Sequence, residues 1–155
     1  MLVLSAALPL PALYYHHAAR DRSEIAISDE ERGVYQWIAK GTARDAVFIE
    51  EGDMVRVPVL GNRDLYWGTE TYARQFGYDA AEIAARRELR DRVFSESGIT
   101  DADVARLRAL GRPVFVIYRQ KPDDLIDAPE RFEHTKQLHG KFATGSVAVW
   151  EVRME

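Results

Sequence analysis

The sequence predicts an α/β domain in three layers: a small, Rossmann-like mixed sheet, partly parallel, held between helices. Three observations predict it. Two short apolar runs of strand length, AVFIEE from Ala46 to Glu51 and PVFVIYR from Pro113 to Arg119, are separated by a long stretch that carries several helix caps. A final run of strand length, SVAVWEVR from Ser146 to Arg153, follows them. The resulting order of helix, strand, helices, strand and strand is that of helices layered on both faces of one sheet.

The elements follow in order. Ser28-Asp29-Glu30-Glu31 has the pattern of a capping box, in which the serine oxygen accepts from the third helical N–H and the glutamate reaches back to the cap. Val34, Trp37 and Ile38 then recur at helical spacing, and Gly41 permits the stop. The first strand, Ala46 to Glu51, is β-branched and aromatic. Pro58 cannot donate to a ladder, so RVPVL is expected to be a loop or an edge rather than a central strand. Asp64 to Trp67 reads as a short strand, after which Thr69 caps a short helix with Tyr72 and Phe76 four apart and Gly77 at its end. Asp79 with Glu82 opens the next helix, Tyr78 and Ile83 are placed as a staple, and Ala81, Ala85, Leu89 and Val93 line one face. Thr100 and Asp103 repeat the capping box, with Ile99 stapling to Val104 and Gly111 ending the stripe of Leu107 and Leu110. The nearly continuous apolar run at 113–119 suits a central strand covered on both faces. Glu130 to Leu138 is expected to be a short helix before the last strand.

With 155 residues, 46% of them apolar and 30% charged, the chain fits one globular domain. The division is an apolar arm or membrane-exit segment at 1–27 and a single α/β domain at 28–155. Net charge is −4, from 21 basic and 25 acidic residues, which argues against a nucleic-acid partner because no basic excess is present to release counterions. The absence of cysteine excludes disulfides, thiolate zinc sites and a cysteine nucleophile. The first fifteen residues, MLVLSAALPLPALYY, fall short of the ~20 needed to cross a bilayer, and no basic residue precedes the apolar run. They match the outer end of a membrane helix begun upstream, with Tyr14 and Tyr15 at interface depth. The alternative is an arm that packs on the domain or on a second copy, making a homodimer.

Chemistry-bearing motifs are sparse. His16 and His17 are adjacent and splay apart, and His134 and His139 are five apart, so neither pair stacks as a metal-binding pair and no metal is expected. GxGxxG, GxxxxGK[ST] and GxSxG are all absent, which removes support for the usual nucleotide cofactors and for serine hydrolysis. Glu50, Glu51 and Asp53 stand at the carboxyl end of the first strand, where open α/β sheets bind ligands. Arg86, Arg87, Arg90 and Arg92 alternate with Glu82, Glu88 and Asp91, a pattern of a salt-bridged solvated face or of a patch for anionic headgroups.

In these pieces the chain resembles the C-terminal extracytoplasmic domain of multi-pass membrane glycosyltransferases that use polyprenyl-phosphate-linked sugars. The residues that carry the resemblance are the helix end Tyr35 to Ala39, the DAVFIE run from Asp45 to Glu50, the turn Gly61 to Gly68 with Arg63 and Tyr66, the VFVIYR strand, and the closing run to Arg153. The resemblance implies an accessory, non-catalytic domain on the outer face of a membrane, without cofactor, whose partner is the membrane region of its parent protein. It places the catalytic carboxylate outside this chain, and it makes the Gly61 to Gly68 stretch chiefly a structural corner. Contacts to a lipid-linked sugar or glycan would fall on Arg63, Tyr66 and Trp67, with Glu51, Asp53 and Arg119 at the strand ends. The competing expectation is a free-standing, cytoplasmic α/β enzyme or ligand-binding protein that uses the strand-end carboxylates with Arg63 and Arg119.

Overall fold

A computed structural model describes residues 27–51, 56–75, 77–121, 123 and 130–153. Residues 1–26 of the apolar arm and Asp53 lie outside the described residues, as do Phe76 and the Tyr72 side chain. The described elements are α1 (Asp29–Gly41), β1 (Val47–Glu50), a π-helical turn (Val57–Gly61), β2 (Asp64–Leu65), α2 (Glu70–Gln75), α3 (Ala80–Phe94), α4 (Asp101–Arg108), β3 (Val114–Arg119), β4 (Leu138–Ala143) and β5 (Val147–Val152).

The five strands form one sheet in the order β2-β1-β3-β5-β4. β1 runs parallel to both β2 and β3, whereas β5 runs antiparallel to β3 and β4. Alternation along each strand then divides the core in two. Val47, Ile49, Val114, Val116, Tyr118, Ala148 and Trp150 pack under α2, α3 and α4. Phe48, Phe115, Ile117, Val147 and Val149 face α1 and the π-helical turn, against Val34, Tyr35, Ile38 and Val57. The mixed, partly parallel sheet between helices is the α/β fold that the sequence predicts, and β3, buried from Val114 to Tyr118, is its central strand.

Local chemistry explains the element starts. Ser28 Oγ accepts from the Glu31 N–H at 3.1 Å while Glu31 returns a bond to the Ser28 N–H, and Thr100 with Asp103 does the same for α4. Asp79 caps α3 by accepting from the Glu82 N–H, but the reverse bond is replaced: Glu82 holds Arg86 and Arg106 instead. Tyr78 is exposed rather than stapled, and the Arg86 guanidinium lies over its ring.

Two expectations are corrected. Beyond a 3-10 residue at Glu130, the chain from 131 to 137 makes turns rather than a helix and then enters β4, an edge strand that the sequence did not reveal. Its residues, LHGKFA, are mostly exposed and interrupted by a bulge between Gly140 and Phe142, so they carry neither alternation nor an apolar run. The RVPVL segment is a π-helical turn that starts at Val57 with Pro58 in its first turn, where a missing N–H costs nothing.

Candidate functional site

From β1 the chain passes to β2 on one side, and from β3 it passes to β4 and β5 on the other. The carboxyl ends of β1 and β3 therefore flank a topological switch point, the position at which open α/β sheets hold ligands. The side chains gathered there face α1. Glu50, the last residue of β1, is 1% exposed, on the same sheet face as Phe48. Arg119, the last residue of β3, lies on that face too, and its guanidinium donates through Nη1 to Glu50 Oε1 and through Nη2 to the Tyr35 hydroxyl. Its Nε lies 3.1 Å from Glu31 Oε1. Arg56, just before the π-helical turn, donates through Nη1 to that same Glu31 oxygen at 2.5 Å. Two guanidiniums thus converge on one carboxylate, with a second, deeper carboxyl beneath.

The deep carboxyl is the unusual member. Burial pushes Glu50 up to about 8; attraction to Arg56 opposes the rise, and repulsion from Glu31 adds to it. Burial also lowers Arg119 from its ordinary value, against the pull of Glu31. Glu50 Oε2 and Arg56 Nε are buried without a hydrogen-bond partner, and Arg119 Nε meets Glu31 Oε1 as an ion pair. Burial of its charge is what favours the neutral form of Glu50. On the outer side of the same strand ends, Glu51 pairs with Lys121 at 2.7 Å in a largely solvated bridge.

The other predicted contacts lie apart from this cluster. Arg63 is 8% exposed and closes the C-terminus of α1: Nη2 donates to the carbonyls of Ala39 at 2.8 Å and Thr42 at 2.7 Å, Nη1 to Asn62, and Nε to Thr42 Oγ1. It satisfies carbonyls that a helix end leaves without partners. Gly61 makes that closure fit, because a Cβ there would meet Ile38 Cγ2 at 2.8 Å. Tyr66 and Trp67 follow β2 and are buried under α3, with Arg86 over the Tyr66 ring and Arg90 over Trp67. They form one wall of an open cavity of about 620 Å³ at the β2 edge, completed by Val47, Pro58, Ile83 and Leu110. The guanidiniums at this cavity are engaged: Arg86 with Glu82 and the Tyr66 carbonyl, Arg112 with Asp64 and the Asp45 carbonyl. No protein-family model, curated protein or solved structure matches the chain. Among the described residues no group of three or more His, Asp or Glu is placed to hold a metal ion. No helix among them is long and apolar enough to cross a membrane.

The structure brings Arg119 into the buried cluster, leaves Glu51 at its solvated rim, sets Arg63 just before β2 against the C-terminus of α1, and sets Tyr66 and Trp67 just after β2 under α3. Sequence reasoning noted Glu50 only as a strand-end acid and missed Glu31, Tyr35 and Arg56. The signal was available in part. In AVFIEE the alternation that buries Phe48 also turns Glu50 toward α1, and in VFVIYR the face of Phe115 and Ile117 carries Arg119. Arg56 gave no such signal, since its approach depends on a π-helical turn.

Proposed function

We propose that the chain is an accessory, non-catalytic domain of a membrane glycosyltransferase that uses polyprenyl-phosphate-linked sugars, lying on the outer face of the membrane and positioning acceptor, donor or a partner protein. The observation that carries this reading is the internal engagement of the strand-end and corner cations. Arg119 is bound by Glu50, Tyr35 and Glu31, and Arg63 by the carbonyls of α1. Side chains so used hold a fold together. The corner from Gly61 to Trp67 also supports it, since Gly61, Arg63 and the buried aromatics act there as packing and closure, as the resemblance implies.

The experiment is to read the DNA in frame upstream of the Met1 codon. Several hydrophobic spans ending near this domain are expected, and a stop codon with a ribosome-binding site directly before Met1 would overturn the reading. Because the chain has no cysteine, a Ser97→Cys variant of the full-length protein offers a second test. Ser97 is exposed, and a membrane-impermeant maleimide should label it in intact cells.

The cavity at the β2 edge favours a second reading, a free-standing ligand-binding protein, because its volume falls within the ~300–1,000 Å³ of small-molecule sites. Titration with sugar phosphates and nucleotides separates the two: this reading requires a saturable rise in thermal midpoint, and a flat response removes it.

A further inference from the structure

We propose that the Glu50 cluster is a proton-operated latch that fastens the N-terminal half of α1 to the sheet. The inference stands on geometry and does not depend on the proposed function. α1 is held at two places by guanidiniums of different character. At its C-terminus Arg63 binds only carbonyl and hydroxyl oxygens, none of which titrates. Nearer its start, Glu31 and Tyr35 are held by Arg119, whose other arm rests on Glu50.

Every charged or titratable group described as facing Glu50 belongs to this set: Glu31 and Tyr35 from α1, Arg56 from the segment before the π-helical turn, and Arg119 from β3. β5 contributes Val147 opposite Arg119. With Glu50 ionised the two carboxylates balance the two guanidiniums, but its Oε2 has no donor and the charge sits under the helix without solvent. With Glu50 protonated the buried charge is gone, and the guanidiniums turn their excess charge toward Glu31, the carboxylate carried by α1. Protonation therefore tightens α1, and loss of the proton loosens it.

The sign follows from linkage. A carboxyl raised from 4.5 to about 8 by folding contributes stability that is complete below its unfolded value and is lost as pH rises through its folded value. An opening that hydrates Glu50 should then become about tenfold to a hundredfold more populated between about pH 6 and about pH 9.

Amide hydrogen exchange on the full chain, corrected for its intrinsic pH dependence, tests this. Protection at Tyr35 and Ile38 is expected to fall by that factor relative to Val104 and Leu107 of α4, and the fall should vanish in Glu50→Gln. Parallel changes in α1 and α4, or an unchanged fall in the variant, overturn the latch. Should Glu50→Gln fail to fold, the carboxyl carbon of Glu50 in the unaltered protein decides by NMR: a titration midpoint above about pH 7 is required, and a lower one overturns the proposal.

Discussion

On the face covered by α2, α3 and α4, the sheet presents Val47, Ile49, Val114, Val116, Tyr118 and Trp150, and Phe132 closes the layer edge-on against Trp150 and Tyr118. On the α1 face the same strands begin in the same way, with Phe48 stacked on Phe115 at 5.0 Å, but end in Glu50 and Arg119. The first face is held mainly by burial of apolar area; burial opposes the charge on its Asp103, but hydrogen bonds from Arg92 and Thr100 hold that carboxyl below its ordinary value, so it titrates only in acid. The second exchanges apolar contact at its strand ends for a charged cluster whose members depend on one another. Between about pH 6 and about pH 9 one sheet thus has a face whose stability is nearly flat and a face whose fastening is set by a single proton. The difference also concerns function, since the polar end lies at the switch point but its cations are engaged within the protein.

Substitutions on the two faces sharpen this contrast. Trp150→Ala, which empties the centre of the apolar face, should cost about 3–5 kcal/mol in urea unfolding, equally at acid and alkaline pH. Arg119→Met removes one partner of a buried pair. Its cost should approach about 3 kcal/mol where Glu50 is ionised and be clearly smaller near neutrality, where the carboxyl is protonated. Equal cost at both pH values would erase the distinction between the faces. Gly61→Ala drives a Cβ into Ile38 and should cost about 1–3 kcal/mol, and the loss should appear in α1 rather than in α4. Ser28→Ala, which removes the cap of α1 while leaving the cluster in place, should cost about 1 kcal/mol.

Much of this contrast was legible in the sequence, and the failures are local. Strands β1, β3 and β5 were readable because buried strands are dense in β-branched and aromatic residues, as were α1, α3 and α4 because caps such as Ser28 and Thr100 announce themselves. β4 was not, because an edge strand with one mostly solvated face shows no apolar pattern around His139 and Lys141. Of the candidate site, Glu50 and Arg119 were visible as strand ends. That they meet depends on parallel pairing of β1 with β3, a long-range register which no local pattern encodes. The involvement of Glu31 was obscured by its capping role, since one carboxylate both closes its own helix and receives two guanidiniums.

The most direct test of the account is a double-mutant cycle of Glu50→Gln and Arg119→Met, measured by urea unfolding at about pH 6 and about pH 9. If the α1 face is fastened by a carboxyl that is neutral near neutrality, the coupling between the two residues will be small at the lower pH and will grow as Glu50 loses its proton. A coupling of the same size at both values would mean that Glu50 is an ordinary ionised partner throughout, and would contradict the account.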